Sequence, residues 1–144
     1  MPQFSRQEIE AAFWKRMALQ DADDWAGFGN TFTEDAVYLE HHYGTFRGRQ
    51  RILEWLVPVM EHCKDWTFPV EWLCIDGNRT VHKWLNRLPG KRPDGTYYEF
   101  AGITVMEYAG NGLFSFQEDM YNRHETDKVL EEWRVAHPAA NAKP

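Results

Sequence analysis

The sequence predicts an α+β protein in which helices close the concave side of a strongly curved antiparallel sheet. Apolar residues recur at helical spacing in the first part of the chain. Alternating patterns separated by turn signals fill most of the remainder, as in a meander of strands. Helices that precede a run of antiparallel strands are typical of this class, and a sheet wrapped on helices leaves a conical cavity.

The first two helices are predicted from their caps. Residues 5–8 have the form of a capping box, and apolar residues at spacings of three and four follow, so a helix is expected over 6–19. Acidic residues at 21–24 offer N-caps for a second, short helix, which Gly27 and Gly29 weaken. The expected buried residues are Ile9, Ala12, Phe13 and Met17 in the first helix and Trp25, Phe28 and Phe32 in the second.

The first strand and a third helix follow. From Ala36 the sequence alternates, which predicts a strand. Val37 and Leu39 lie on one face of this strand, and Tyr38, Glu40 and His42 lie on the other. Residues 44–48 are expected to form a loop. Helical spacing from Ile52 predicts a helix that ends near Cys63, and Pro58 should kink or interrupt it near Val57.

The second half predicts four long strands and a last helix. The strands are expected at 67–75, 80–88, 97–108 and 113–121, with turns or loops at 76–78, 89–95 and 109–112. Thr126 or Asp127 can cap the last helix. Its expected inward residues are Val129, Leu130 and Trp133.

The composition indicates one globular domain, expected over 1–137, with a disordered tail at 138–144. No apolar stretch approaches the ~20 residues of a membrane helix, and residues 1–20 lack a signal-peptide pattern, so we expect a cytoplasmic protein without membrane contact. The net charge of −6 argues against nucleic acid as a partner. Cys63 and Cys74 are expected to be reduced, buried thiols.

Aromatic residues make up 15% of the chain, more than a small core easily holds. We therefore expect several of them to line a ligand cavity or a subunit interface, with a Phe-rich core as the alternative. Such a cavity would suit a flat or polycyclic apolar ligand. The candidate wall residues are Trp55, Trp84, Tyr98, Phe100 and Thr104.

Glu40 is the first catalytic candidate. If Val37 and Leu39 pack on the opposite side of their strand, the carboxylate points into the cavity, where burial raises its pKa toward the range that a general base needs. A solvent-facing glutamate is the alternative.

The last strand offers a second carboxylate on one of its two sides. Ser115, Gln117, Asp119 and Tyr121 share one side, and Phe114, Phe116, Glu118 and Met120 share the other. Only one of Asp119 and Glu118 can therefore face the cavity. Hydrophobicity favours the side that contains the two phenylalanines.

The second hairpin strand offers a histidine. His82, Trp84 and Asn86 alternate with Lys83 and Arg87, whose charges prefer water, so the His82 side should turn inward. His82 could then move a proton or bind a substrate oxygen. A core histidine, or one at a dimer interface, is the alternative.

The sequence predicts no metal and no cofactor. His41 and His42 are neighbours in a strand and point to opposite faces, and no glycine-rich phosphate loop joins a strand to a helix.

Arg16 could supply a positive charge to an enolate or carboxylate oxygen. A surface arginine is its alternative.

The order of these elements, with four short motifs, resembles the nuclear-transport-factor-2-like superfamily. That superfamily includes ketosteroid isomerase, SnoaL-like polyketide cyclases, scytalone dehydratase and limonene-epoxide hydrolase. The matching stretches are 21–25, 32–38 (the Phe-x-Asp-Asp-Ala entry into a strand), 46–52 (the Gly-Arg-x-x-Ile helix start) and 108–112. The resemblance spans most of the chain and implies the cone-shaped fold.

The resemblance also suggests roles for single residues. The general-base carboxylate of ketosteroid isomerase falls on Glu40, whereas its two oxyanion donors fall near Arg16 and on Thr104, so neither donor is kept. Asp119, ahead of Tyr121, resembles an acid that several cyclases and hydrolases of this fold use. Dimerisation through the outer surface of the sheet is common in such families, and we expect a homodimer.

We therefore expect a cofactor-independent acid/base enzyme, an isomerase, cyclase or lyase such as a dehydratase, that acts on a small apolar substrate. Glu40 would be the base, Asp119 or His82 the acid or oxygen-polarising partner, and Tyr38 a hydrogen-bond donor. The expected substrate-binding residues are Arg16, Phe28, Trp55, Trp84, Asn86, Phe100, Thr104 and Tyr121.

Two other functions remain open. Water activation, as in epoxide hydrolases of this fold, needs an Asp-Arg-Asp relay, but Arg87 has the wrong parity and Arg123 lies past its strand. A non-catalytic ligand carrier or scaffold is the other alternative.

Overall fold

The computed structural model describes residues 3–139. Residues 140–144 of the expected tail lie outside this range, and Pro138 and Ala139 form a short helical turn. The elements are α1 (Arg6–Asp21), α2 (Trp25–Gly29), β1 (Phe32–Glu40), β2 (Gly44–Arg47), α3 (Arg49–Glu61), β3 (Val70–Asp76), β4 (Arg79–Lys91), β5 (Tyr97–Gly110), β6 (Leu113–Tyr121) and α4 (Arg123–Ala136). None of the described helices has the length and apolar character needed to cross a bilayer.

The six strands form one curved, unclosed sheet in the order β2-β1-β6-β5-β4-β3. Strands β1 and β6 are parallel, and every other neighbouring pair is antiparallel. The α+β class and the cone-shaped fold predicted from the sequence are confirmed. The first and last strands along the chain, β1 and β6, are therefore neighbours inside the sheet.

Two apolar clusters hold the helices on the sheet. The larger one joins α1, α2 and α3 to the concave face through buried side chains such as Phe13, Phe32 and Ile52. The smaller one joins α4 to β4 and β5 through Val129, packed with Leu88, Tyr98 and Phe100. Because the helices cover different parts of the sheet, space remains between the two clusters.

The helix caps explain where the helices begin. The Ser5 side chain accepts a hydrogen bond from the Glu8 backbone N–H at 3.1 Å, as the capping box predicts. Asp24 caps α2 in the same way. Helix α4 starts earlier than expected, because Asn122 rather than Thr126 or Asp127 accepts from the backbone N–H three residues on.

Four expectations for the chain between Phe32 and Cys74 are wrong. Strand β1 begins at Phe32, which packs against Phe28 as a strand residue and not as part of a helix. The expected loop at 44–48 contains strand β2, which pairs with β1. The connection between these strands is a turn that includes His41 and His42. Cys74 is exposed and Cys63 is half-buried, so the expected pair of buried thiols is not present, although both thiols are free.

Proline placement accounts for the other differences. Helix α3 continues through Pro58, because the buried Ile52 and Leu56 hold it to the core despite one lost backbone bond. Pro69 delays β3 to Val70, since it has no N–H for the ladder. Strand β4 extends through Pro89, at a register shift that removes the need for its missing donor.

A bulge at Ser115 determines which side chains of β6 face inward. Phe114 pairs with Tyr108 and Phe116 pairs with Glu107, so Ser115 has no partner on β5. The extra residue reverses the alternation. Phe114 and Gln117 are therefore both buried on the concave side. The expectation that only one face of β6 points inward along its whole length is wrong. Before the bulge the face with Phe114 points inward, and after the bulge the face with Gln117 and Asp119 does.

Deletion of Ser115 should destabilise the protein far more than Ser115→Ala. Without the extra residue, either Phe114 or the Gln117 segment must leave the core, and the loss of one buried phenylalanine costs about 3 kcal/mol or more. Urea unfolding of both variants measures the difference. Equal free energies of unfolding for the two variants would contradict the role of the bulge.

Candidate active site

A cavity of about 200 Å³ lies between the helices and the concave face of the sheet. Its wall includes eleven of the twelve site residues expected from the sequence: Phe28, Tyr38, Glu40, Trp55, His82, Trp84, Asn86, Phe100, Thr104, Asp119 and Tyr121. Arg16 and the wall candidate Tyr98 do not line it: Arg16 lies in the core, and Tyr98 packs in the cluster under α4.

Four polar side chains form one row across the middle of the sheet. His82 on β4 pairs with Thr104 on β5, Thr104 pairs with Asp119 on β6, and Asp119 pairs with Glu40 on β1. Residues in register on neighbouring strands point to the same side. We call these four residues the polar row, and all of them line the cavity.

Asp119 accepts hydrogen bonds from three side chains. Thr104 Oγ1 lies 2.7 Å from Oδ1, Gln117 Nε2 lies 3.0 Å from the same oxygen, and Tyr38 Oη donates to Oδ2. Trp84 fixes the direction of the first bond, because its indole N–H, which can only donate, binds Thr104 Oγ1 at 2.7 Å. Three donors stabilise an ionised carboxylate.

Two opposing effects set the pKa of Asp119. Burial raises the pKa above its ordinary value, and the hydrogen bonds from Tyr38, Gln117 and Thr104 oppose this rise. Burial and the neighbouring carboxylate also raise the pKa of Tyr38, which stays protonated. The Tyr38 proton is directed at Asp119, so this residue orients Asp119 instead of donating to the cavity.

Glu40 has the more available carboxylate. Its Oε1 accepts from the His42 backbone N–H at 2.9 Å, and its Oε2 accepts from Tyr121 Oη at 3.2 Å. Only 4% of the residue is exposed, and burial raises its pKa. With one donor on each oxygen, Glu40 keeps lone pairs free for a ligand.

His82 is neutral in its site. Burial and the nearby Arg16 charge lower its pKa to about 3. Its ring packs edge-on against Phe13, and its Nδ1 atom has no hydrogen-bond partner among residues 3–139. A neutral imidazole can exchange hydrogen bonds with a ligand, but it is a poor proton donor near neutral pH.

Gly102 allows Trp84 to reach Thr104. It lies beside Trp84 in the ladder, and a Cβ added to Gly102 would approach the indole ring to 2.2 Å. The ring therefore lies flat over the glycine, with its N–H directed at the polar row.

Several buried polar atoms of residues in the cavity wall have no hydrogen-bond partner among the residues that the structure describes. They are Trp25 Nε1, Trp55 Nε1, His82 Nδ1, Asn86 Oδ1, Gln117 Oε1 and Thr126 Oγ1. A buried polar atom without a partner costs about 1–3 kcal/mol, so the indole N–H groups favour a ligand that offers an oxygen acceptor, and the two amide oxygens favour one that offers a donor. Trp55 packs edge-on against Tyr38, which brings its wall position close to the polar row.

Sequence reasoning gave little weight to Gln117 and missed Trp25 and Thr126. Gln117 shares its side of β6 with Asp119, and this parity was the available signal. Trp25 was expected only as a core residue, and Thr126 only as a cap. No local pattern distinguishes a core aromatic residue from one in a cavity wall.

The chain belongs to the SnoaL-like domain family, whose pattern matches residues 11–116. The match includes α2, α3 and the first five strands. A comparison with curated proteins finds no match.

Solved structures share the fold at low sequence identity. A proposed SnoaL-like polyketide cyclase from Shewanella putrefaciens is 14% identical with a TM-score of 0.71, and covers 92% of this chain and 88% of its own. An LEH-like epoxide hydrolase from M. tuberculosis is 16% identical with a TM-score of 0.70, over 92% and 97% of the two chains. A proposed ketosteroid isomerase from Kribbella flavida is 20% identical with a TM-score of 0.64, over 81% and 79%. These similarities show the shared fold, and together with the family match they support membership of the nuclear-transport-factor-2-like superfamily.

The stability of the protein should depend on pH through His82. The unfolded chain binds a proton at this histidine below pH ~6.5, whereas the folded chain does not until its pKa of about 3, so acid favours unfolding. Between about pH 7 and pH 5, the wild type should lose about 2 kcal/mol relative to His82→Gln. Urea unfolding of both proteins at the two pH values measures this. Parallel pH dependence of the two proteins would show that His82 titrates normally.

Proposed function

We propose that this protein is an acid/base enzyme that moves a proton on a small, mainly apolar substrate without an added cofactor. One observation supports this most strongly: two carboxylates lie side by side in an aromatic-lined cavity, with different hydrogen-bond partners. Paired carboxylates in unequal environments are the usual basis of acid and base roles in one site. Isomerisation, cyclisation and elimination all begin with such a proton transfer.

Glu40 is the proposed base. It has free lone pairs toward the cavity, and burial brings its pKa closer to neutral pH, where a base is most effective. Asp119 is occupied by three donors and is the less accessible of the two. In the first step the Glu40 carboxylate takes a proton from the carbon next to the substrate carbonyl. The electron pair of the broken C–H bond forms a C=C bond to the carbonyl carbon, and the π pair of the carbonyl moves onto its oxygen, which gives an enolate.

The substrate oxygen needs a donor, and Trp55 is the best candidate. Its indole N–H is buried in the cavity wall and has no acceptor among the described residues. Neutral His82 is a second possible partner through Nδ1. Donors already in place for a developing negative charge stabilise an enolate without reorganisation.

The remaining wall supports a substrate with at least one flat ring. Phe28, Trp84 and Phe100 offer ring faces and edges, and Tyr121 lies near both Trp84 and Phe100. Asn86 lies four residues from His82 along β4, about 13 Å away at the usual strand rise, and provides a polar group at the other end of the cavity. A cyclic or bicyclic ketone fits these requirements.

The arginine positions argue against water activation through an Asp-Arg-Asp relay. No arginine occurs among the described residues of the cavity wall. Arg87 pairs with Glu99 at 2.7 Å, and Arg123 pairs with Asp127 at 3.4 Å on α4.

The homodimer and the cytoplasmic location remain predictions. Trp72 on β3 and Met120 on β6 are exposed, and they provide apolar area that a second subunit would cover.

Glu40→Gln tests the proposed base directly, because hydrogen exchange does not require the natural substrate. The probe is the bicyclic ketone α-tetralone, incubated with the protein in D₂O. The wild type should accelerate exchange of the hydrogens next to the carbonyl, and Glu40→Gln should lower that acceleration by a factor of ~100 or more. Proton NMR follows the loss of signal.

Glu118→Gln is the matched control. Glu118 neighbours Asp119 on β6, but it pairs with His41 away from the cavity and should leave exchange unchanged. Equal rates for the wild type and Glu40→Gln would exclude Glu40 as the base. Binding of the ketone, seen by tryptophan fluorescence, without any accelerated exchange would instead favour a ligand carrier.

A further inference from the structure

Arg16 is a fully buried cation on α1, and no carboxylate among residues 3–139 contacts it. Its Nε donates to Thr31 Oγ1 at 2.8 Å, its Nη1 donates to Met106 Sδ, and its Nη2 has no partner within the described part of the chain. Most buried arginines are paired with carboxylates, because an uncompensated buried charge is costly.

Aromatic rings surround this guanidinium. Its central carbon lies 4.1 Å from the ring centre of Phe28, 4.2 Å from that of Phe32 and 5.0 Å from that of Phe114. Cation–π contacts stabilise the charge only in part. A methionine of similar length would fill this space without the cost of desolvating a charge, so the core does not need a cation here for packing.

The charge lies one layer of side chains behind the catalytic carboxylates. Phe32 contacts the Tyr38 ring with 5.7 Å between ring centres, and Met106 is in register with Gln117. Gln117 binds both Tyr38 and Asp119, so Phe32 connects Arg16 to this pair directly and Met106 connects it through Gln117.

We propose that Arg16 is a positioning residue that keeps the negative charge on Asp119, and thereby leaves Glu40 as the carboxylate that exchanges protons with the ligand. This inference extends the proposed function, but its test needs no substrate. A failed exchange experiment would therefore count against the proposed function, and a failed titration would count against the role of Arg16.

The electrostatics of the surrounding groups agree with a charged Asp119 and a Glu40 that exchanges protons. Arg16 opposes the burial that raises the pKa of Asp119, and it contributes to the lowered pKa of His82. For Glu40 the effects come from burial, His42, Asp119 and Tyr121. Burial lowers the pKa of Arg16 itself to about 9, so it remains charged at neutral pH.

The titratable groups nearest the polar row around Arg16 come from three strands. Tyr38 and Glu40 lie on β1, His82 on β4, and Asp119 and Tyr121 on β6. A further pair, Tyr108 with Glu8, is separated from Arg16 by the Phe114 ring, against which Tyr108 packs edge-on. A titration of the site must therefore resolve Glu40 from Asp119.

Carboxyl ¹³C NMR of the ligand-free protein provides the test, with Glu40→Gln and Asp119→Asn used to assign the signals. In the wild type, Glu40 should protonate at a higher pH than Asp119. In Arg16→Met, the pKa of Asp119 should rise by at least about one pH unit, the pKa of His82 should also rise, and that of Glu40 should not. Arg16→Lys keeps the charge and should retain most of the wild-type order.

Three results would overturn the proposal: Asp119 protonating above Glu40 in the wild type, an unchanged pKa of Asp119 in folded Arg16→Met, or equal shifts in Arg16→Lys and Arg16→Met. The wild-type order needs no variant of Arg16, so the proposal stays falsifiable if Arg16→Met does not fold. A purely structural role would alter the melting temperature without changing this order.

Discussion

The structure depends on burying ionisable side chains among aromatic rings, with the two carboxylates held by hydrogen bonds from neighbouring side chains and backbone. The polar row meets this constraint through sheet register, because each member lies beside the next on a neighbouring strand. Asp119 is satisfied by three donors, and Trp84 orients one of them from behind. Several buried polar atoms without a partner among residues 3–139 belong to residues of the cavity wall. The hydrogen-bonded groups hold the polar row in place, and the polar atoms without a partner offer hydrogen bonds to a ligand.

The site also depends on an irregularity of the sheet. Without the bulge at Ser115, the phenylalanine that packs against the helices and the carboxylate of the polar row would lie on opposite faces of β6. The parallel pairing of β1 with β6 then places Glu40 beside Asp119, although 79 residues separate them in the chain. Two distant strands therefore supply the two carboxylates, and α1 supplies the buried cation behind them. Residues that differ in partners and depth can take different protonation states in the same cavity.

The sequence predicted the features that depend on local patterns. The helix cap at Ser5 and the His82 side of β4 follow from spacing and alternation alone. Alternation left Glu40 facing either the cavity or solvent, and the family resemblance favoured the cavity. The inward direction of Asp119 did not follow, because a bulge changes parity without a local signal. Arg16 was expected at the surface or beside a ligand, since composition treats every arginine as a group that prefers water. Only the arrangement of Phe28, Phe32 and Phe114 in three dimensions shows how its charge is held.

A crystal structure of the protein soaked with α-tetralone tests the central claim most directly. The account predicts that the ketone lies inside the cavity, with its oxygen within hydrogen-bond distance of Trp55 Nε1 or His82 Nδ1. The carbon next to its carbonyl should lie in contact with the Glu40 carboxylate. A ketone bound only outside the cavity, or one whose reactive carbon lies away from Glu40, would contradict it.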